Sequence, residues 1–371
     1  MKGNILVTGG AGFIGARLVF DLVKKHPNSK LWVLDNLHPQ VHGIEGKFPN
    51  FGENVTCVRG DVTDSQTMRH LVREAQPLIV YHLAAETGTG QSYDEVTRYC
   101  QVNVVGTAQA IEALRQESTV TRRVVLAGSR AVYGEGAYQD KTGREFVGLP
   151  RKAEAMAKGD FSVPLPSDCQ PPAKAIPSHS GLRPAPASVY ASTKLMQEYL
   201  LRQSGEGSPW RAIILRFQNV YGPGQSLRNA YTGVLSIFCE QLLSGQRLEI
   251  FEDGGITRDF VFVDDVVSAL VRAGQKDLPH GIVLDIGSGK PITILETARI
   301  LIEALRCSQD QLSISGRFRI GDIRYACADI RFAQEQLGWE PNVGVRAGLQ
   351  QLAAWASAQH PSPTSREGQN G

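Results

Sequence analysis

The stretch TGGAGFIG at residues 8–15 decides the fold of this chain. It joins a short apolar run at 4–8, which predicts a strand, to an amphipathic run at 13–25, which predicts a helix. Three glycines follow the strand at three-residue spacing: Gly9, Gly12 and Gly15. That spacing permits a tight turn, the close approach of a pyrophosphate, and packing of the helix against the strand. The stretch therefore predicts a dinucleotide-binding turn at the start of a parallel sheet.

An acidic residue and the first helical residues complete this predicted cofactor site. Phe13 and Ile14 begin the helix, where free backbone N–H groups and the helix dipole favour phosphate. Asp35 ends the next predicted strand, 20 residues after Gly15. A carboxylate there accepts hydrogen bonds from a ribose 2′-hydroxyl and repels a 2′-phosphate. The sequence thus predicts NAD, rather than NADP, as the cofactor.

Strand-like and helix-like patterns alternate along most of the chain. The predicted strands are 4–8, 30–34, 55–59, 78–82, 123–128 and 211–217, and the predicted helices are 13–25, 65–74, 96–117 and 190–202. This alternation predicts an α/β fold with a Rossmann-type, doubly wound parallel sheet and a smaller carboxyl-terminal α/β domain. We expect the NAD-binding domain to comprise 1–217 and 258–287. The substrate-binding domain is then expected to comprise 218–257 and 288–356.

Two segments interrupt this alternation. Residues 139–188 contain eight prolines and no sustained period, which predicts a surface insertion that is ordered only in part. Residues 357–371 are polar and rich in Ser, Pro and Gly, which predicts a disordered tail.

The predicted sheet brings further small and polar residues to the cofactor. Ligands of open α/β sheets bind at the carboxyl ends of the strands. The residues that follow the second, third and fourth predicted strands are Asn36, Asp61, Val62, Leu83, Ala84 and Ala85. Each of them alone is compatible with an ordinary turn, but together they trace one extended dinucleotide.

Three side chains are candidates for the chemistry. Tyr190 and Lys194 are four residues apart on a predicted helix, so they share one face. A cation beside a phenol lowers its pKa from about 10 and makes it a usable base. Ser129 follows the fifth predicted strand, where its hydroxyl is placed to bind a substrate hydroxyl and pass its proton to Tyr190. The alternative for YxxxK is a solvated lysine beside a half-buried tyrosine.

In combination these motifs resemble one family. The segments TGGAGFIG, DN at 35–36, DV at 61–62, HLAA at 82–85, GSRAVYG at 128–134 and YASTK at 190–194 are similar to the extended short-chain dehydrogenase/reductases that act as nucleotide-sugar epimerases and dehydratases. The resemblance spans about 4–339. It implies that Tyr190 is the acid/base, that Lys194 holds the cofactor ribose and lowers the tyrosine pKa, and that Ser129 assists. It also implies that Asn103 supports the site.

The resemblance extends to the substrate. It implies that Asn219 and Arg258 bind the diphosphate of a nucleotide sugar, and that Arg324 is a second phosphate-binding arginine. Paired guanidinium groups suit phosphate because their planar forks donate two parallel hydrogen bonds. Surface ion pairs are the alternative for such arginines. Thr87 is a candidate to face the sugar, with an ordinary turn residue as the alternative.

The residues after Ser129 separate the possible reactions. Dehydratases of this family place an Asp-Glu pair there, whereas this chain has Arg130 and Ala131. Family reductases consume NADPH, which Asp35 disfavours. We therefore expect C4 epimerisation. The loops 35–43 and 85–92 resemble dTDP-rhamnose 4-epimerases more than UDP-galactose 4-epimerases. A UDP-sugar 4-epimerase, a nucleotide-sugar 4-ketoreductase and a non-catalytic NAD-binding regulator remain alternatives.

Composition limits the partners. With 39 Lys and Arg against 37 Asp and Glu, the net charge is +2, which gives no reason to expect nucleic acid or membrane partners. The six cysteines form no CxxC pair, so we expect neither a metal site nor disulfides. His38 and His42 lack a predicted third ligand. A cytoplasmic protein without a signal peptide is expected, and the family implies a homodimer through the helices at 96–117 and 190–202.

Overall fold

The computed structural model describes residues 3–227 and 233–360. The strands within them are β1 Asn4–Thr8, β2 Leu31–Asp35, β3 Val55–Arg59, β4 Pro77–His82, β5 Arg123–Ser129, β6 Ala137–Gln139, β7 Glu145–Val147, β8 Lys174–Ile176, β9 Arg211–Phe217, β10 Asn219–Tyr221, β11 Leu248–Ile250, β12 Thr257–Phe262, β13 Ile282–Ile286, β14 Pro291–Thr293 and β15 Leu312–Ile314.

The helices are α1 Phe13–Lys25, α2 Pro39–His42, α3 Ser65–Ala75, α4 Gln91–Asp94, α5 Val96–Tyr99, α6 Gly106–Glu117, α7 Ala153–Met156, α8 Val189–Gly205, α9 Val234–Leu243, α10 Val263–Gln275, α11 Ile294–Ala304, α12 Arg331–Leu337 and α13 Val345–Gln359. A π-helical segment, Cys100–Val105, joins α5 to α6, and 3-10 turns occur at Arg130–Tyr133 and Gln309–Gln311. The six predicted strands and four predicted helices are confirmed to within three residues at each end.

Seven strands form one parallel sheet in the order β13-β9-β5-β4-β1-β2-β3. The strand order reverses between β1 and β4, and such a switch point opens a crevice at the carboxyl ends of the strands. The predicted Rossmann-type α/β fold is therefore confirmed. Its crevice lies between the glycine turn after β1 and the loop after β4.

Helices cover both faces of this sheet. Ile5 and Val7 of β1 belong to a core with α1 and α10, whereas Leu6 packs with α3 and α6 on the opposite face. Successive side chains of a strand point to opposite faces, so a continuous apolar run is what a doubly covered strand requires. Truncating one of these residues, as in Leu6→Ala, is expected to cost about 2–5 kcal/mol.

A separate apolar cluster lies among the later elements. It joins residues of α9, α11 and α13 with Leu248 and Phe260 from β11 and β12. This cluster is consistent with the predicted second domain, whose boundaries stay a prediction. Helix α13 continues to Gln359, so the prediction that a disordered tail begins at 357 is wrong at its start. The rest of that predicted tail, 361–371, lies outside the described residues.

The proline-rich segment is built differently from what its sequence indicated. Strands β6, β7 and β8 form a small antiparallel sheet, in which β6 is central. Ser178 also forms a parallel bridge with Ala328. The segment is thus an ordered part of the fold, fixed by pairing between residues about 40 positions apart, which a local pattern does not reveal.

Among the described residues, no helix has both the length and the apolar composition needed to traverse a bilayer.

Candidate active site

The glycine turn brings the first two cofactor segments together. Gly9 has φ of 69°, and a Cβ atom on it would lie 2.7 Å from the amide nitrogen of Ala84. A Cβ on Gly15 would lie 2.1 Å from the carbonyl oxygen of Gly9. Only glycine fits at either position, because α1 packs directly on the turn and the turn packs on the residues that follow β4.

Gly12 differs from its neighbours. A Cβ atom there would meet only the carbonyl oxygen of Gly9, at 3.4 Å, so the protein itself does not require glycine at this position. Gly12 is also the N-cap of α1 and supplies no capping side chain. The first amides of α1, including those of Phe13 and Ile14, are therefore directed to an approaching anion, as a pyrophosphate site requires.

Asp35 is held rigidly under this turn. Its carboxylate accepts hydrogen bonds from the amides of Ala11, at 3.0 Å, and Leu37, at 2.9 Å, and His42 Nε2 lies 3.5 Å from Oδ1. Burial acts to raise the pKa of Asp35, but hydrogen bonds from His42, Leu37 and Ala11 together bring the pKa below its ordinary value. The side chain is therefore a fixed anion next to the position predicted for the ribose.

The loops after β2 and β3 are also joined. Asn36 Nδ2 donates to Asp61 Oδ2 at 2.9 Å, and Asp61 Oδ1 accepts from the amide and hydroxyl of Thr63 at 2.9 and 2.7 Å. Val62 is buried beside Gly106, the first residue of α6. The predicted cofactor residues of these loops thus lie along one edge of the sheet.

Asn103 connects the loop after β4 to α8. Its side chain accepts from the amide of Glu86 at 2.8 Å and donates to the Thr193 hydroxyl at 2.9 Å. Asn103 lies in the π-helical segment, a distortion that frequently occurs at functional sites because it redirects side chains. It fixes the distance between the predicted cofactor segment Leu83–Ala85 and the helix that carries Tyr190 and Lys194.

The predicted catalytic residues meet at the carboxyl end of β5. Burial raises the pKa of Tyr190, while the Ser129 side chain and the nearby Arg130 charge act to lower it. Lys194 is buried and donates from Nζ to the carbonyl oxygen of Ala127 at 2.9 Å. Burial lowers the pKa of Lys194 to about 8. The structure thus brings together all three predicted catalytic residues.

Arg130 is a further component of this centre. The sequence analysis noted only that it stands where related dehydratases have an acidic residue. Its Nη2 donates to the carbonyl oxygen of Gly134 at 3.1 Å. Burial and the positive charge of Arg258 lower the pKa of Arg130 to about 9, while Asp322 and Glu135 act to raise it. A guanidinium therefore lies in the field of the reacting phenol, where the related dehydratases carry an acid.

Arg258 and Asn219 lie at the predicted substrate side. Arg258 donates to Asp322 Oδ1 and, at 2.9 Å, to the carbonyl oxygen of Ile323. Asn219 begins β10, and its Oδ1 is buried without a hydrogen-bond partner among residues 3–227 and 233–360. An unpartnered buried amide oxygen is costly unless another group meets it, and this favours a ligand-binding role for Asn219.

Arg324 is placed differently from Arg258. Both of its terminal nitrogens donate to Asp253, at 2.7 and 2.8 Å, and Nη1 also donates to Glu252 at 2.8 Å. Two carboxylates therefore occupy its guanidinium, as the ion-pair alternative requires, and its phosphate role stays a prediction. Arg319, on the same segment, stacks over the Phe251 ring at 4.9 Å and has no ion pair with any described residue.

The loop that carries Thr87 is tied to the reactive centre through an aromatic residue. The Tyr99 hydroxyl donates to the carbonyl oxygens of Thr87, at 2.6 Å, and Gly88, at 2.9 Å. The Tyr99 ring meets the Tyr190 ring edge-on, with centroids 6.4 Å apart. Thr87 is exposed, and Tyr99 links the loop that carries it to Tyr190.

Two buried charge clusters were missed by the sequence analysis. One joins Glu198, Arg216, Tyr133 and Asp285 behind Lys194. The other joins Arg151 of the proline-rich segment to Glu135 and Glu252. The sequence feature that could have indicated the first cluster is Glu198, which follows Lys194 by four residues and so shares its face of a predicted helix. The residues of the described chain form no cluster of metal-ligating side chains; His42 lies against Asp35, and His38 caps α2.

Comparison with known proteins agrees with this geometry. A family model described as the NAD dependent epimerase/dehydratase family matches residues 5–287. The dTDP-L-rhamnose 4-epimerase of Burkholderia thailandensis is 39% identical over 359 residues, which cover 96% of this chain and 95% of that protein. These matches confirm the resemblance inferred from the motifs.

Two solved structures share the fold over almost the whole chain. UDP-glucose 4-epimerase of Thermotoga maritima, with UDP-glucose, has a TM-score of 0.78 and 28% identity, and the match covers 96% of this chain and 99% of that one. UDP-glucose 4-epimerase of Thermus thermophilus, in complex with NAD, has a TM-score of 0.75 and 27% identity, with 95% and 98% covered.

Proposed function

The chain belongs to the NAD dependent epimerase/dehydratase family, and from this premise we propose that it converts dTDP-L-rhamnose to dTDP-6-deoxy-L-talose by inverting C4. The observation that carries the proposal is that Lys194, bonded to the Ala127 carbonyl oxygen, holds the helix of Tyr190 against the carboxyl end of β5, where Ser129 is followed by Arg130 instead of an acid. The choice of sugar and nucleotide is supported by the 39% identical dTDP-L-rhamnose 4-epimerase.

NAD is the cofactor, and its proposed site follows from the fit described above. The amides of Phe13 and Ile14, next to Gly12, would receive the pyrophosphate, and Asp35 would receive the adenosine ribose. Asn36, Asp61 and Val62 line the adenine side, and Leu83, Ala84 and Ala85 line the nicotinamide side. When bound, NAD accepts a hydride from the sugar carbon and returns it to the opposite face.

The side chains of the triad have distinct proposed tasks. Tyr190 takes the proton of the C4 hydroxyl and later returns it to the ketone oxygen. Ser129 binds the same oxygen, so it orients the reacting bond and shares the proton. Lys194, held by the Ala127 carbonyl oxygen at 2.9 Å, binds the nicotinamide ribose and keeps positive potential near the phenol. Proton transfer by a positioned group of this kind typically contributes about 10²–10⁴-fold to the rate.

Arg130 gives a physical reason for epimerisation over dehydration. Removal of water from C5 and C6 of a sugar needs one carboxylate to take a proton and one acid to give it. A guanidinium performs neither task near neutral pH, because it has no acceptor and remains charged. Burial raises the pKa of Tyr190, and the charge of Arg130 opposes that rise, which favours the oxidation and reduction steps that epimerisation requires.

The substrate diphosphate is proposed to bind between Arg258 and Asn219. Arg258 is near Arg130, since its charge acts to lower the pKa of Arg130, and Asn219 has a buried oxygen without a partner among the described residues. On the 315–324 segment, Arg319 is a better donor to phosphate than Arg324, because Arg324 is already held by Asp253 and Glu252. Thr87 is proposed to face the sugar.

A UDP-sugar 4-epimerase is the second candidate, favoured by the similarity to UDP-glucose 4-epimerase of Thermotoga maritima. The test is to incubate the purified protein, without added cofactor, with dTDP-L-rhamnose, UDP-glucose or UDP-N-acetylglucosamine. We expect a product of unchanged mass and inverted C4, detected by NMR, from dTDP-L-rhamnose only. Tyr190→Phe is expected to abolish it while retaining bound NAD.

Other outcomes of that test would assign other functions. Inversion of a UDP-sugar alone would establish the second candidate. Reduction of a 4-keto sugar at the expense of added NADH, without isomerisation, would show a ketoreductase. Tightly bound NAD without turnover of any sugar would indicate a regulator.

We also propose a homodimer. Val96 and Cys100 share an exposed face of α5 and the π-helical segment, and Met196 and Tyr199 share an exposed face of α8. These helices pack against each other, and in the proposed dimer a second copy would cover their exposed side chains. Light scattering should show a dimer, and the double change Met196→Glu and Tyr199→Glu should give a monomer. The matched change Phe332→Glu, at an exposed residue of α12, should leave the dimer intact.

A further inference from the structure

Helix α8 buries a polar face where an apolar one is expected. Residues at positions i, i+3, i+4, i+7 and i+8 of a helix share the side that faces the core and are normally apolar. In α8 they are Tyr190, Thr193, Lys194, Gln197 and Glu198. Gln197 and Glu198 are fully buried. Burying such groups is costly unless each one is hydrogen-bonded or paired, so the partners of this face indicate what the polar groups do.

The partner of Glu198 is a buried arginine. Arg216 of β9 donates to both carboxylate oxygens of Glu198, at 2.9 and 2.7 Å, in the two-point geometry that fixes both side chains. Arg216 also donates to the Tyr133 hydroxyl at 2.8 Å, and that hydroxyl donates to Asp285 Oδ1 at 2.8 Å. These four side chains come from α8, β9, β13 and the 3-10 turn after β5.

Lys194 is the neighbour of this network on α8. It is 3% exposed, and within the described part of the chain its ammonium donates to one acceptor, the Ala127 carbonyl oxygen on β5. Glu198, one helical turn further on, is the anion that acts on it and opposes the effect of burial on the pKa of Lys194. His82 of β4 faces the same ammonium, but burial and the Lys194 charge lower the pKa of His82 to about 3, so it is neutral.

The charged groups next to Lys194 therefore differ in how directly they act on its ammonium. Arg216 neutralises part of Glu198, and Tyr133 and Asp285 hold Arg216 from its other side. Burial raises the pKa of Asp285 to about 7, so Asp285 is the weaker anion and is separated from Lys194 by Arg216 and Glu198. Among the described residues, Glu198 is the carboxylate that acts on the pKa of Lys194, and its position four residues later places both side chains on one face of α8.

We propose that Glu198, fixed by Arg216, is a positioning residue that keeps Lys194 protonated and directed to the cofactor ribose. The proposal rests on the role of Lys194 proposed above, but it concerns cofactor binding and needs no sugar for its test. A neutral lysine would lose a charge-assisted hydrogen bond to the ribose, and such bonds are stronger than those between neutral groups. Glu198 would thus set the upper pH limit of tight NAD binding.

The experiment is to measure NAD affinity against pH for the NAD-depleted full-length protein. Affinity should fall as pH rises through the pKa of Lys194. Glu198→Gln removes the charge and keeps the shape, so the midpoint of this fall should move to lower pH by roughly one unit. Glu198→Asp keeps the charge but withdraws it from Lys194, so its midpoint should lie between the other two.

Asp285→Asn is the matched control within the same network. It removes a buried carboxylate that Arg216 and Glu198 separate from Lys194, so it should lower the melting temperature without moving the midpoint. If Glu198→Gln does not fold, the shift in Glu198→Asp decides the question. Folded Glu198 variants with the wild-type midpoint, or an equal shift in Asp285→Asn, would overturn the proposal. Failure of the proposed sugar chemistry would leave this result unaffected, because sugar is absent.

Discussion

The cofactor edge and the substrate edge of the crevice are held together by different interactions. At the cofactor edge, backbone amides and neutral side chains make the contacts, as in Ala11 to Asp35 and Asn36 to Asp61. At the substrate edge, three arginines pair with four carboxylates from distant segments: Arg151, Arg258 and Arg324 with Glu135, Glu252, Asp253 and Asp322. We therefore expect the cofactor edge to be disrupted by added side-chain volume, and the substrate edge to be disrupted by the loss of a charged side chain.

The largest expected effect comes from adding one methyl group to the glycine turn. Gly15→Ala places a Cβ only 2.1 Å from the Gly9 carbonyl oxygen, which is too close for both atoms to stay in place. The turn must move, which we expect to destabilise the protein by roughly 3 kcal/mol and to abolish NAD binding. Absorbance of released cofactor and thermal unfolding measure the two effects.

Gly12→Ala separates the two effects. Its Cβ meets only one atom, at 3.4 Å, so the melting temperature of the NAD-free protein should stay unchanged. NAD affinity should fall more than about tenfold, because the methyl group occupies the space of the pyrophosphate. Full NAD affinity in Gly12→Ala would contradict the assignment of this turn.

A charge change at the substrate edge is the second test. Arg151→Met leaves Glu135 buried without its cation and leaves Glu252 with Arg324 alone, and the side chains of Arg151 and Glu252 are 2% and 0% exposed. Breaking a buried pair in this way costs about 3–5 kcal/mol. We expect a higher KM for the sugar with unchanged NAD content, measured by steady-state kinetics and cofactor release.

The matched control lies in the same proline-rich segment. Arg144 pairs with Asp168 at the surface, where both side chains are largely exposed. Arg144→Met should leave the melting temperature and KM unchanged, since solvent screens exposed pairs. Equal effects of the two changes would contradict the assignment of the buried charges to the substrate edge.

The smallest of the three effects concerns pH. Burial raises the pKa of Tyr190 and the Arg130 charge opposes this, so Arg130→Met should raise that pKa further. The deprotonated base then forms at higher pH, and the acidic limb of kcat/KM should move upward by roughly one pH unit. Arg122→Met removes the same charge at the opposite end of β5, where Arg122 bonds only backbone carbonyl oxygens, and should not shift the profile. An unshifted limb in Arg130→Met would exclude the proposed influence on Tyr190.

The difference between the cofactor edge and the substrate edge also explains which parts of the site could be predicted from the sequence. The glycine turn, Asp35 and the Tyr190–Lys194 pair each lie within a few residues of a strand end or helix start, so spacing alone locates them. Arg151 meets Glu252 across 101 residues, and Arg258 meets Asp322 across 64. No local period marks such partners, so the small sheet of the proline-rich segment and its charged contacts escaped prediction. Cytoplasmic location stays a prediction.

The most direct test of the central claim follows one hydrogen atom. The protein, carrying only the NAD with which it purifies, is incubated in ordinary water with dTDP-L-rhamnose deuterated at C4. We expect an epimer that retains deuterium at C4, because the hydride leaves and returns within one closed site. Loss of deuterium to solvent would show that C4 is inverted through proton exchange, and it would contradict hydride transfer assisted by Tyr190.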